Sequence, residues 1–172
     1  LEIEAEDNII SELTSEVLGE TLVLGFQDQF LRTRVIPTEG ITYTLTVIDL
    51  TEVTFNGAAD FQMESLETSS LDLSINGAAQ IELDELTAHS LSVRISGTGT
   101  LDISGQVSSQ SVSIDGAGNY QAGDLQTSST EIAIQGLGNG TVWASDSLDI
   151  SIDGGGTVPH AAGPAEPLVE GH

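Results

Sequence analysis

Cysteine is absent from the 172 residues, so the chain has no disulfide framework, no thiolate nucleophile and no cysteine-built zinc site. Lysine is absent as well. Arg32, Arg34 and Arg94 stand alone against 27 acidic residues, for a formal net charge of -24. Phosphate backbones and anionic lipid surfaces are repelled by such a chain, which excludes a nucleic-acid partner. No run of about 18 apolar residues occurs, so direct membrane insertion by a helix is excluded too. Residues 1 to 20 lack a basic stretch followed by an apolar one, and any export signal or lipid anchor is expected to lie outside this sequence. Aromatic residues make up only 4%, and no window sustains the 3.6-residue period of an amphipathic helix. What remains in quantity is Gly, Ser, Thr, Val, Ile and Leu, a mixture that favours short strands and tight bends.

Those residues repeat. Gly57, Gly77, Gly97, Gly116, Gly136 and Gly154 are spaced 18 to 20 residues apart, and each sits in the same local phrase. Two residues before them come Phe55, Ile75, Ile95, Ile114, Ile134 and Ile152; four before come Val53, Leu73, Val93, Val112, Ile132 and Ile150. Polar residues alternate with these, which is the period-2 signature of a strand with one buried face. Two residues after each glycine comes Ala59, Ala79, Gly99, Gly118, Gly138 or Gly156, as expected of a corner where a larger Cβ substituent would clash. A second alternation follows in Phe61 and Met63, Ile81 and Leu83, Leu101 and Ile103, and Tyr120 and Ala122. One coil therefore reads as strand, glycine corner, second strand and return loop.

A coil of about twenty residues cannot enclose a core alone. Stacking coil on coil at about 4.8 Å pairs each strand with its equivalent and fuses the apolar columns into one interior. The expected fold is all-β: a parallel β-helix, or β-solenoid, of about six coils spanning residues 47–158. An antiparallel up-and-down barrel competes with it, but hairpins would not place like residues over like at a fixed period. Residues 1–46 depart from the period and read as a β capping region. Pro159, Pro164 and Pro167 are expected to end the regular coils, leaving 159–172 as a tail or the start of a further coil.

The phrases INGAAQIEL, ISGTGTLDI, IDGAGNYQAGDL and IQGLGNGTVWASDSLDISIDGGGTV, with LEIEAEDNIISEL near the start, resemble the auto-transporter adhesin head GIN domain family of bacterial secreted and lipid-anchored proteins. The likeness is densest from Tyr120 to Val158. It implies a β-helical fold and an extracellular or cell-surface location, and it brings no catalytic residues with it. Members usually close this region with a Tyr-rich Gly-Pro phrase, where this chain has His160, Ala161 and Ala162 before Gly163 and Pro164.

Parallel β-helices can host polysaccharide lyases, whose carboxylates would stand on the outer columns. Three carboxylate pairs fall one coil apart: Glu52 with Asp72, Glu82 with Asp102, and Glu131 with Asp149. These are the candidate metal residues, since stacked carboxylates invite Ca²⁺; a solubilising acidic surface is the plainer reading. Arg94 is the one basic residue of the repeats, and His89, His160 and His172 lack ligand spacing. No serine sits in a nucleophile elbow, and no helix follows the Gly-x-Gly phrases, so no nucleotide cofactor is expected. Asn139-Gly140-Thr141 matches a glycosylation acceptor, and Trp143 and Tyr120 are expected at core or corner positions. The reading is a non-catalytic surface solenoid without cofactors, self-associating through its ends. Its competitor is a carbohydrate-binding or carbohydrate-active protein meeting a surface glycan on an acidic face. Self-association is expected because Leu1 to Ala5 already alternates like a strand and Leu168-Val169-Glu170-Gly171 repeats the corner phrase.

Overall fold

The computed structural model describes residues 1–27, 38, 40–161 and 168–171, those beyond 159 by their backbone alone. Arg32, Arg34, Pro164, Pro167 and His172 lie outside the described residues. Two compact units divide the chain, Leu1–Ile48 and Asp49–His172.

In the first unit, β1 (Glu2–Glu4) pairs antiparallel with β4 (Thr42–Thr44). β2 (Leu13–Leu18) and β3 (Thr21–Phe26) form a hairpin whose turn uses Gly19 at φ 67°. Between β1 and β2 lies a single helical turn, α1 (Asp7–Ile10), in which Ile9 and Ile10 both donate their amides to the Glu6 carbonyl at 2.8 and 3.0 Å. One turn is too short to leave a helical period in the sequence, yet it carries this unit's buried apolar anchor, Ile9. The sequence alternates at Leu22, Leu24 and Phe26, and that alternation becomes β3. That of Ile41, Tyr43, Leu45 and Val47 yields a strand only over Thr42–Thr44, because β1 offers just three residues to pair with.

The second unit is a parallel β-solenoid of about five turns. Its strands are β5 (Glu52–Met63), β6 (Leu66–Glu67), β7 (Ser70–Gly116), β8 (Asn119–Ala122), β9 (Leu125–Gly136), β10 (Asn139–Trp143), β11 (Ser147–Gly154), β12 (His160–Ala161) and β13 (Leu168–Gly171). Every pairing among them is parallel, which removes the antiparallel barrel. The register places like over like: Val53 on Leu73, Phe55 on Ile75, Val112 on Ile132, Ile114 on Ile134, and Gly116 on Gly136. The apolar columns fuse into one buried core that includes Ile75, Ile95, Ile114, Ile134, Val93 and Val112. Burying a side chain of this size contributes roughly 1.5–3 kcal/mol, and this repeated gain holds the coils together.

Three details differ from the sequence-based expectation. The coil count falls from six to about five, because six glycine corners bound five intervals and the chain after Gly154 adds only β12 and β13. The return segment is a third paired run rather than a loop: Leu66 pairs with Leu86, Gly105 with Leu125 and Val107 with Thr127. Each turn thus has three inward-facing runs. Finally, pairing continues past Pro159. The Val142 amide donates to the Pro159 carbonyl at 3.3 Å, which needs only the acceptor that proline keeps. β12 then adds to β10 and β13 to β11. β13 is also two residues out of the anticipated register, since Gly171 lies over Ile152 and not over Gly154.

Close approach at the corners explains the glycines. Gly97 has φ 141°, and a Cβ built there would collide with the carbonyl oxygen of Gly77 one turn away. The Gly97 carbonyl in turn accepts the Ala117 amide at 3.0 Å, so the next turn is hydrogen-bonded at the same corner. Both the dihedral and the space demand glycine. Gly57, in the first coil, has φ 120° with nothing within 4 Å of its would-be Cβ.

That contrast gives two expectations for chemical denaturation. Gly57→Ala should cost only backbone strain, about 1–3 kcal/mol, whereas Gly97→Ala adds a backbone collision and should cost clearly more. Equal losses would show that the neighbouring carbonyl does not set the requirement. Ile95→Asp, which buries an unpaired carboxylate in the core, should destabilise by several kcal/mol, and a fully stable variant would contradict the buried column.

Candidate functional site

The solenoid sorts the acidic candidates by their outward columns. Glu52 lies beside Asp72, and Glu131 lies between Ser111 and Asp149. Glu82 has Gln62 as its neighbour and accepts a hydrogen bond from Gln62 Nε2 at 3.2 Å, while Asp102 has Gln121 beside it. Two pairs thus keep carboxylate beside carboxylate, while Glu82 and Asp102 have amide neighbours, and among the described residues no three His, Asp or Glu side chains gather where they could hold a metal ion. Arg94 and His89 are exposed; His160 is placed by its backbone opposite Val142. Asn139 sits in a polar ladder, where its Nδ2 donates to Asn119 Oδ1 at 3.2 Å and its Oδ1 accepts from Thr157 Oγ1 at 2.8 Å. Asn76 and Asn56 repeat the amide contact in the first coils at 3.2 Å. Such ladders form because register puts one amide directly over another.

Sequence reasoning missed a buried polar chain. The column two residues upstream of the Val/Leu/Ile column holds Leu71 and Leu91, then Gln110 and Thr130, then Leu148. All five are buried. Tyr120, on a different run of the turn, reaches across and donates its hydroxyl to Gln110 Oε1 at 2.7 Å. Gln110 Nε2 donates to Thr130 Oγ1 at 2.9 Å, and Thr130 and Thr127 hydroxyls meet at 2.7 Å. The chain ends on the Trp143 carbonyl, which accepts from Thr127 and, at 3.2 Å, from Thr130. Each polar group has a partner, so its desolvation is offset. Extending the alternation two residues upstream would have exposed the signal, since Gln110 and Thr130 interrupt a leucine column. Tyr120 is a core residue as anticipated, whereas Trp143 is half-buried on the outer side of β10 between the inward Val142 and Ala144.

Burial holds the Tyr120 phenol well above its ordinary pKa. In the unfolded chain this group ionises above about pH 10, whereas the folded protein keeps the proton. The unfolded state then binds fewer protons, so the stability contribution is complete below about pH 10 and falls as the pH rises beyond it. Tyr120→Phe should cost roughly 1–3 kcal/mol at neutral pH by stranding Gln110, and should flatten the alkaline limb of a stability-versus-pH curve. An unchanged alkaline limb would place the titration elsewhere.

A family model described as "Putative auto-transporter adhesin, head GIN domain" matches residues 1–164. Among solved structures, the crystal structure of a protein described as "a putative adhesin" from Bacteroides fragilis is similar to this chain at 26% identity, with a TM-score of 0.84. The superposition covers 92% of this chain and 80% of that one. A search of curated proteins found no match. The glycine corners and parallel columns carry the phrases on which the likeness was first seen, and the match extends over nearly the whole length. This chain belongs to the auto-transporter adhesin head GIN domain family.

Proposed function

We propose that this protein is a non-catalytic module of the cell surface or extracellular space, a stiff solenoid that presents its outer columns in fixed register and joins further copies end to end. Family membership carries the surface role, and the likeness to the Bacteroides fragilis protein described as "a putative adhesin" supports it. The end-to-end part rests on β5. Among the described residues of the solenoid unit, β5 pairs with β7 on one side only, and no strand of that unit lies on its other edge. The same coil carries Val53, Phe55, Phe61 and Met63, which are partly buried whereas the matching residues of the next coil are fully buried. Phe55 and Phe61 meet edge to face at 5.7 Å across the corner. An edge of this kind can take a further strand through main-chain hydrogen bonds, and a head-to-tail contact that does not close gives a filament. The charge of -24 opposes side-by-side packing and restricts contact to the coil ends.

Light scattering coupled to size exclusion tests the assembly. Apparent mass should rise with protein concentration, and should rise further with salt as the repulsion between copies is screened. A monodisperse monomer under all these conditions would overturn self-association. For the non-catalytic part, incubation with polygalacturonate, with and without Ca²⁺, should leave the polymer's chain length unchanged; new reducing or unsaturated ends would show an enzyme.

A further inference from the structure

The third run of the solenoid turn carries a feature opposite in character to the acidic face. Outward residues of this run, Gln106, Gln126, Ser108, Ser128 and His89 among them, line a shallow groove together with Trp143 at the end of the preceding run. No Asp or Glu lines its floor, although carboxylates stand at its margins, where Glu67 pairs with Thr87 and Asp146 accepts a hydrogen bond from Ser145 at 3.3 Å. The neighbouring groove, by contrast, carries Glu131 and Asp149. A polar floor without carboxylates offers a cation no direct ligand, while the carboxylates at its margins repel an anion. Its complement is a neutral molecule rich in hydroxyl groups.

The geometry is specific enough to name the class. Gln106 pairs with Gln126 in register, so two exposed planar amides stand one rung apart, at about 4.8 Å along the axis. That step is close to the length of one sugar unit in a linear chain. Trp143 lines the same groove, just before a shortened corner: Val142 pairs with Ala122, twenty residues back, but Ser147 pairs with Ser129, eighteen back. The indole is half-buried, with its backbone carbonyl held from inside by the Thr127 and Thr130 hydroxyls. A half-buried aromatic side chain on a backbone held in this way has given up part of its freedom before binding, and its apolar face matches the C–H face of a pyranose ring. Amides and hydroxyls beside it supply the few directed hydrogen bonds that orient a ligand.

We infer that the Trp143, Gln126 and Gln106 groove binds a neutral oligosaccharide, running along the solenoid axis, with a sugar ring stacked on Trp143. This goes beyond the surface role proposed above and does not depend on self-association.

Trp143 is the chain's single tryptophan, so its emission reports this groove alone. The intact protein is titrated with cellohexaose, maltohexaose and mannohexaose, and with hexagalacturonate as the charged control. At least one neutral hexasaccharide should give a saturable emission change that persists in EDTA, while hexagalacturonate gives none. Gln126→Ala, an exposed change that keeps the reporter, should weaken that binding several-fold, with Gln106→Ala acting in the same direction. Trp143→Ala, followed by calorimetry and checked for folding by circular dichroism, should weaken it by about tenfold or more. The inference is overturned if no neutral hexasaccharide alters the emission, if hexagalacturonate binds equally well, or if the two glutamine variants bind as the parent does. Loss of self-association with retained sugar binding would sink the assembly proposal and leave this one standing.

Discussion

Everything in the solenoid follows from one close approach, that of each corner glycine to the carbonyl of the glycine a turn before it. A Cβ at Gly77, Gly97, Gly116, Gly136 or Gly154 would collide with that carbonyl, and all five have positive φ. The contact fixes the spacing of the turns at one strand separation and sets the register at a single point. Parallel pairing then carries the register around the turn, so Ile stacks on Ile and Asn on Asn. Gly118 and Gly138 add a second constraint just inside the corner, where a Cβ would press on the Cγ2 atoms of Ile95 and Ile114 at 2.9 and 2.7 Å. The isoleucine column and the small-residue column are therefore complementary.

Departures from uniform repetition are placed where the turn length changes. The third coil loses a residue at Gly105, a second positive-φ corner whose would-be Cβ meets Leu86, nineteen residues back, while Ser104 still bonds to Asp84, twenty back. The next coils shorten again beyond Trp143. Between these two adjustments lies the buried chain of Tyr120, Gln110, Thr130 and Thr127. Apolar columns alone tolerate sliding by two residues, because alternation is preserved; a fully satisfied hydrogen-bond chain does not. The polar chain thus sits where the register changes and where an apolar core would specify it least.

Outer columns divide by chemistry rather than by sequence neighbourhood. The run ahead of the glycine corner carries Glu52, Asp72, Glu131 and Asp149, and the run after it carries Glu82 and Asp102. The third run carries Glu67 at its first rung and then amides and hydroxyls, with Trp143 of the preceding run beside them. The register of the solenoid therefore keeps the carboxylates of the first two runs apart from the amide and hydroxyl columns of the third.

The repeat, the buried Ile and Val columns and the glycine corners were legible in the sequence, because stacking turns at a constant spacing writes the structure's period directly into the chain. Family likeness was legible for the same reason, since Tyr120 to Val158 keeps its corners and columns in order. What the sequence left hidden depends on which turn meets which. Pairing of the return run, continued pairing after Pro159, and the two-residue offset of Gly171 from Gly154 all lie where turn length varies, so counting by period fails there. The approach of Tyr120 to Gln110 and of Trp143 to the Gln126 groove was decided by tertiary structure alone. Each joins residues on different runs of the coil, and a period read along the chain reports the direction of stacking but not the distances across the turn.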